Sequence, residues 1–153
     1  MAESASMNVT FPAQLVPEIK VSDLTASLRF WRDLLGFRVL FDRAEEGFAY
    51  LDRDGAQIML DQRGLGARER QGIWETGPMD RPFGRGVNFQ IQASDLETIQ
   101  ARLEAAGVRI YFGPEIRWYR VGAVEIGVRQ FLVQDPDGYL VRLQERIGER
   151  PAA

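Results

Sequence analysis

Val21-Ser22-Asp23-Leu24 returns as Ala93-Ser94-Asp95-Leu96, and the residues after each copy match in order. A helix-length amphipathic stretch comes next, then Gly36-Phe37-Arg38-Val39 or Gly107-Val108-Arg109-Ile110, then strand patterns that close on Asp54-Gly55 or Asp137-Gly138. A period of roughly seventy residues is too long for a solenoid unit and fits tandem duplication of a small βαβββ module. With 153 residues, 45% of them hydrophobic, two such modules must share one fold. The reading is an α+β protein of two tandem βαβββ modules. It is a single domain over 1–153, with a first module at 13–62, a linker at 63–85 and a second module at 86–147.

Outward from the repeat, Gln14 to Lys20 reads as a strand. Asp23 or Ser22 caps a helix in which Leu24, Leu28, Trp31 and Leu35 recur at helical spacing, and Gly36 ends it. Strands come after it at Arg38 to Asp42, Phe48 to Leu51 and Gln57 to Leu60, the last two joined by a tight turn over Arg53 to Gly55. Arg63 to Arg85 mixes glycine, proline and alternating charges without periodicity, which marks the linker; Trp74 and Phe83 are its only aromatics. In the second copy a strand at Gly86 to Gln92 precedes Ser94-Asp95-Leu96-Glu97, which has the form of a capping box. A helix with Leu96, Ile99, Leu103 and Ala106 then runs to Gly107. Arg109 to Val121 reads as a strand broken at Gly113-Pro114. Val128 to Val133 meets Tyr139 to Gln144 across Asp135-Pro136-Asp137-Gly138, a type I turn sequence. Met1 to Thr10 and Gly148 to Ala153 are expected to be poorly ordered unless a partner chain holds them.

Composition narrows the chemistry. A formal net charge of -3 argues against a phosphate-binding surface, so nucleic acid is not an expected partner. The chain has no cysteine, no run of eighteen apolar residues and no signal-peptide layout at its start, which gives no expected membrane contact and a cytoplasmic location. With neither histidine nor cysteine, a Ser-His-Asp or Cys-His nucleophilic centre and a zinc site of the usual composition are impossible. Carboxylate, Arg and Tyr chemistry remains.

Alternation along the strands divides side chains between two faces. Ile19, Val21, Ile58, Leu60, Phe89, Ile91, Val141 and Leu143 form the apolar set that packs under the helices. The opposite face carries Val16, Glu18, Lys20, Gln57, Met59 and Asp61 in the first module. In the second it carries Asn88, Gln90, Gln92, Leu140, Arg142 and Gln144. Such a face is either a solvated sheet surface or a ligand groove. Phe48 and Tyr50 share its side, and apolar walls with few polar groups suit a small molecule.

These residues resemble the glyoxalase, bleomycin-resistance and extradiol-dioxygenase group, also called the vicinal oxygen chelate superfamily. The likeness rests on three stretches. They are Val21-Ser22-Asp23-Leu24 leading to Phe30-Trp31-Arg32-Asp33-Leu34-Leu35-Gly36-Phe37, then Gly86-Val87-Asn88-Phe89, then Arg129-Gln130-Phe131 before Asp135-Pro136-Asp137-Gly138-Tyr139-Leu140. The resemblance implies paired modules whose strands form a curled mixed sheet around a central groove, often in a homodimer with exchanged elements; Met7 to Ala13 is a plausible exchanged arm. Enzymes of this group hold a divalent metal on the first and last strand of each module, at positions that fall here on Val16, Met59, Asn88 and Arg142. Valine cannot ligate, a thioether is too soft for magnesium, manganese or ferrous iron, and Arg142 sets a fixed cation where the metal would sit. The expectation is therefore no metal and no cofactor.

The branch most resembled is the bleomycin-resistance proteins, which confer antibiotic resistance by sequestering a drug without transforming it. That likeness adds Trp118 and Tyr119 as stacking aromatics. The expected ligand-binding set is Glu18, Phe48, Tyr50, Met59, Asp61, Asn88, Trp118, Tyr119 and Arg142, with no catalytic residue. Glu18 and Asp61 would favour a cationic, partly aromatic compound. Three competing readings keep the fold. One is an isomerase or lyase using Glu18 as base and Arg142 as oxyanion partner. Another is a hard-cation site on Glu18 and Asp61. The last is a self-filled groove with Glu18 and Arg142 as an internal ion pair.

Overall fold

The computed structural model describes residues 9–66 and 72–153. Part of the expected linker, and most of the N-terminal stretch for which disorder or an exchanged arm was expected, lie outside them. The first module runs β1 (Glu18–Val21), α1 (Leu24–Leu28) widening into a π-helical turn (Arg29–Leu34), β2 (Arg38–Arg43), β3 (Phe48–Arg53) and β4 (Ala56–Gln62). The second repeats it as β5 (Asn88–Gln92), α2 (Leu96–Ala105), β6 (Ile110–Val121), β7 (Val124–Gln134) and β8 (Leu140–Pro151). The fold is thus α+β with two four-stranded mixed sheets, ordered β1-β4-β3-β2 and β5-β8-β7-β6. In each, the first strand lies parallel to the last and the other pairings are antiparallel.

The duplication holds at the level of register: Glu18 stands opposite Met59 as Gln90 stands opposite Arg142. The copies differ in one hairpin. β2 and β3 have 6 residues each, whereas β6 has 12 and β7 has 11, and β8 extends alongside them.

Local chemistry sets the boundaries. β1 starts at Glu18 and not at Gln14, because Pro17 cannot donate to a ladder; its carbonyl still accepts from Met59 N at 2.8 Å. β6 runs unbroken through Gly113-Pro114, its register shifts absorbing the irregularity. Gly148 to Pro151, expected to be loose, continue β8 without a partner chain, with Pro151 opposite Val124 and Arg150 bonded to Glu125 at 2.6 Å. Asp23 caps α1, accepting from Ala26 N at 3.2 Å. The capping box at Ser94 to Glu97 does not form: Asp95 is the N-cap without a side-chain cap bond, and its carboxylate accepts from Arg53 at 2.6 Å.

The helix-facing residues of both sheets merge in one core, in which Ile19, Val21, Leu51, Ile58 and Leu60 join Ile91, Val133, Val141 and Leu143 around Trp31, Leu35, Ile99 and Leu103. Polar contacts fasten the seam. Trp31 Nε1 donates to Asp135 at 3.2 Å, Ser22 N to Asp137 at 2.9 Å, Tyr139 Oη to the Lys20 carbonyl at 2.8 Å, and Arg102 Nε to the Leu34 carbonyl at 3.0 Å. Gly138 has a positive φ of 95° and lies against Pro82 with no room for a Cβ, so this turn needs glycine on both counts.

Candidate functional site

On the first sheet, residues turned away from the helices are nevertheless covered. Phe48 and Tyr50 are 6% and 4% exposed, yet neither belongs to the shared core. At the Tyr50 end the chain supplies its own cover. Gln57 Nε2 donates to the Thr10 carbonyl at 2.7 Å, and Ala13 N donates to Gln57 Oε1 at 2.8 Å. These bonds hold Phe11 edge-on to Tyr50 at 5.1 Å and to Phe41 at 5.6 Å, with Phe41 stacked on Tyr50. Tyr50 Oη donates to Gln57 Oε1 at 2.6 Å, and burial raises the phenol's pKa.

The other end is hollow. A cavity of about 150 Å³ is lined by Glu18, Arg43, Glu46, Phe48, Asp61, Gly66 and Trp74. Lys20 Nζ meets Asp61 at 2.7 Å, buried. Beside them the Glu18 carboxyl has its pKa raised, first by burial and then by the neighbouring Asp61; Lys20 and Arg43 pull it back. Arg43 lies over the Phe48 ring at 4.1 Å. The result is an acidic, aromatic-walled pocket whose cations belong to the protein. Met59 lies on this face opposite Glu18.

The second sheet is different in kind. Its outward face carries Asn88, Gln90, Gln130, Arg142 and Gln144, with Arg142 Nη2 donating to Gln90 at 2.7 Å. Gln130 donates to Tyr119 Oη at 2.7 Å and to Glu115 at 2.9 Å. Trp118 does not share this face. Strand alternation turns it the other way, against Gly127 and Gly148, where Arg150 covers its ring at 4.2 Å.

The expected set therefore divides between the sheets. Glu18, Phe48, Tyr50, Met59 and Asp61 lie on the first, and Asn88, Tyr119 and Arg142 on the second. No hydrogen bond, ion pair or ring contact among the described residues links the two groups. The supposed Glu18 and Arg142 ion pair does not form: Arg142 donates to Gln90 on the second sheet, while Glu18 lies on the first. Arg43, Glu46, Trp74 and Gln130 are absent from the set expected from sequence. A lone tryptophan in a charged linker is the one signal that points to Trp74.

The paired βαβββ modules, matched in register, agree with a family model over residues 14–143, that of the Glyoxalase/Bleomycin resistance protein/Dioxygenase superfamily. The chain belongs to this superfamily. Solved structures share the fold. A virulence protein from Salmonella typhimurium is 20% identical, with TM-score 0.60, covering 86% of this chain and 94% of that one. An integron cassette protein from V. pseudocholerae is 21% identical, with TM-score 0.61, covering 87% and 93%. TioX from Micromonospora sp. ML1 is 22% identical, with TM-score 0.57, covering 87% and 98%. Comparison with curated proteins gives no match.

A divalent metal is the group that superfamily enzymes hold, and this chain's residues do not fit one. Val16 precedes β1 and carries no donor, Met59 offers a thioether, Asn88 is exposed, and Arg142 places a guanidinium on the last strand. Among the described residues no cluster of three or more His, Cys, Asp or Glu could take an ion. A further cavity of about 230 Å³ opens at the seam between modules, lined mainly by Leu15, Pro17, Trp31, Phe37, Ile58 and Phe89. Its lining has no charged group, in contrast to the smaller pocket at Glu18.

Proposed function

We propose that this protein is a metal-independent small-molecule binder that, like the bleomycin-resistance proteins of its superfamily, sequesters a partly aromatic, cationic compound without transforming it. The observation that carries the reading is Phe48, buried outside the core on the wall of a cavity that also holds Glu18 and Asp61. A flat cation there gains a ring to stack on and carboxylates to face. Phe48, Glu18, Asp61 and Trp74 make the principal contacts, flanked by Tyr50 and Met59, while Asn88, Tyr119 and Arg142 serve the second face.

A homodimer would give that second face a partner. The exposed apolar residues Tyr111, Phe112, Ile116 and Val121 on edge strand β6 support a second copy covering this hairpin. A cytoplasmic location fits the lack of cysteine, and among the described residues no helix is long and apolar enough to cross a membrane. An isomerase or lyase in the same groove draws support from Glu18, whose raised pKa suits a base, but Arg142 does not stand beside it.

Thermal shift tests the proposal, since a ligand bound to the native state alone raises the melting temperature. Bleomycin should raise it and magnesium, manganese, ferrous iron and zinc should not. A shift with metal alone would replace sequestration by a metalloenzyme reading.

A further inference from the structure

Ala56 and Tyr139 occupy the same place in the repeat, each directly after the Asp-Gly pair that leads into the last strand of its module. The ladders agree: beyond Ala56, Met59 stands opposite Glu18, as beyond Tyr139, Arg142 stands opposite Gln90. In the second module the tyrosine ring is buried against Phe83 and Phe89, with centroids at 6.0 Å and 6.3 Å, and its hydroxyl donates to the Lys20 carbonyl. In the first module alanine supplies no ring, and Ala56 lines the seam cavity of about 230 Å³ instead. Trp31, Phe37, Ile58 and Ile91, all buried, form its floor, with Trp31 edge-on to Phe37 at 5.6 Å and to Phe89 at 6.4 Å. Leu15 lines the same cavity and is 84% exposed, which places it at the mouth.

The polar side chains at the floor and wall are already committed. Trp31 Nε1 donates to Asp135. The Gln57 amide nitrogen donates to the Thr10 carbonyl and to Asp52, while its oxygen accepts from Ala13 N and from Tyr50 Oη. No charged residue lines the cavity, so an ion entering it would be desolvated without a counter-charge. A void of roughly 150 Å³ with aliphatic and aromatic walls takes up benzene, so the seam cavity has room for one substituted ring. We propose that this cavity is a second small-molecule site, separate from the Glu18 pocket, for a neutral single-ring aromatic of the phenol type. The ligand's ring takes the place in the first module that the Tyr139 ring takes in the second. Because Ala56 and Ile58 come from one module and Phe89 and Ile91 from the other, an occupant bridges the seam. The inference goes beyond the sequestration reading and does not depend on it.

The test is NMR titration of the full chain with p-cresol, which is the tyrosine side chain itself, and with benzoate and benzylammonium as charged analogues of similar size. p-Cresol should give saturable ring-current shifts at the Ile58 and Ile91 methyl groups and at the Phe89 ring. Both charged probes should bind at these positions at least about tenfold more weakly, because neither finds a counter-charge there. Ala56→Tyr restores the residue of the second module, fills the cavity from within and should abolish the p-cresol shifts. Leu15→Ala, at an exposed position that leaves the fold intact, should weaken p-cresol binding about threefold through lost apolar contact. Silence at Ile58 and Ile91 at millimolar p-cresol, equal binding of the three probes at these residues, or unchanged p-cresol affinity in both variants would overturn the site.

Discussion

The two modules share register and topology but put equivalent positions to different uses. Asp52 and Asp135 occupy the same place in the repeat, each at the head of a turn ending in Asp-Gly, and each is buried. Asp52 stays within its own module, accepting from Gln57 Nε2 at 3.1 Å and standing 3.6 Å from Arg38. Asp135 reaches across the seam to Trp31. The polar face of the first module forms an acidic, aromatic pocket partly closed by its own N-terminal arm, while that of the second carries amides, a guanidinium and a hairpin about twice as long. Duplication fixed the scaffold, and divergence at equivalent positions separated seam from site.

The two modules depend on each other most at the seam. Trp31 is 1% exposed and packs edge-on to Phe30 and Phe37 within the shared core. Trp31→Ala should cost about 3–5 kcal/mol, read as a single shifted transition in urea unfolding. Two separate transitions would show that the modules are independent.

A smaller effect should depend on pH. Burial pushes the Asp135 carboxyl up to about 6 against an ordinary 3.8, opposed by its bonds from Trp31, Tyr139 and Asp137. The folded form therefore holds the proton more tightly than the unfolded chain. The associated stability is fully present below pH 3.8 and is lost as pH rises through about 6, on the order of 3 kcal/mol at most. Melting temperature of the wild type against Asp135→Asn between pH 4 and 7 should show this slope only in the wild type; parallel curves would refute it.

Trp118 tests which face of the long hairpin matters. Because its ring lies between Gly127 and Arg150, Trp118→Ala should cost about 1–2 kcal/mol of stability and leave ligand affinity unchanged. Weakened binding at unchanged stability would return it to the site. The smallest structural effect is expected at Trp74, half-exposed on the cavity rim: Trp74→Ala should change stability by less than about 0.5 kcal/mol and weaken bleomycin binding about threefold to tenfold, measured by calorimetry.

The repeat, helix faces and sheet polarity were legible because burial imposes period on sequence. Ile58, Leu60, Val141 and Leu143 all point into the core as alternation requires. The site was half legible for the same reason. Phe48 and Glu18, on β3 and β1, share a sheet face that alternation reveals, whereas Arg43, Glu46 and Trp74 reach the cavity from a strand end, a turn and a loop that no period governs. Trp118 and Tyr119, paired in the sequence reading, lie on opposite faces because neighbours along a strand alternate. The strand at Tyr139 to Gln144 was legible, but its continuation to Pro151 was not, because Gly148 and its charged neighbours read as a tail until cross-strand partners such as Glu125 are known.

On our proposal a ligand occupies the pocket of the first sheet without a metal. NMR titration with bleomycin, then with manganese, tests it most directly. Bleomycin-dependent shifts are predicted at Phe48, Glu18 and the Trp74 indole, with no paramagnetic broadening by manganese near Met59 or Arg142. Selective broadening at Met59 or Arg142, with Phe48 silent to bleomycin, would contradict it.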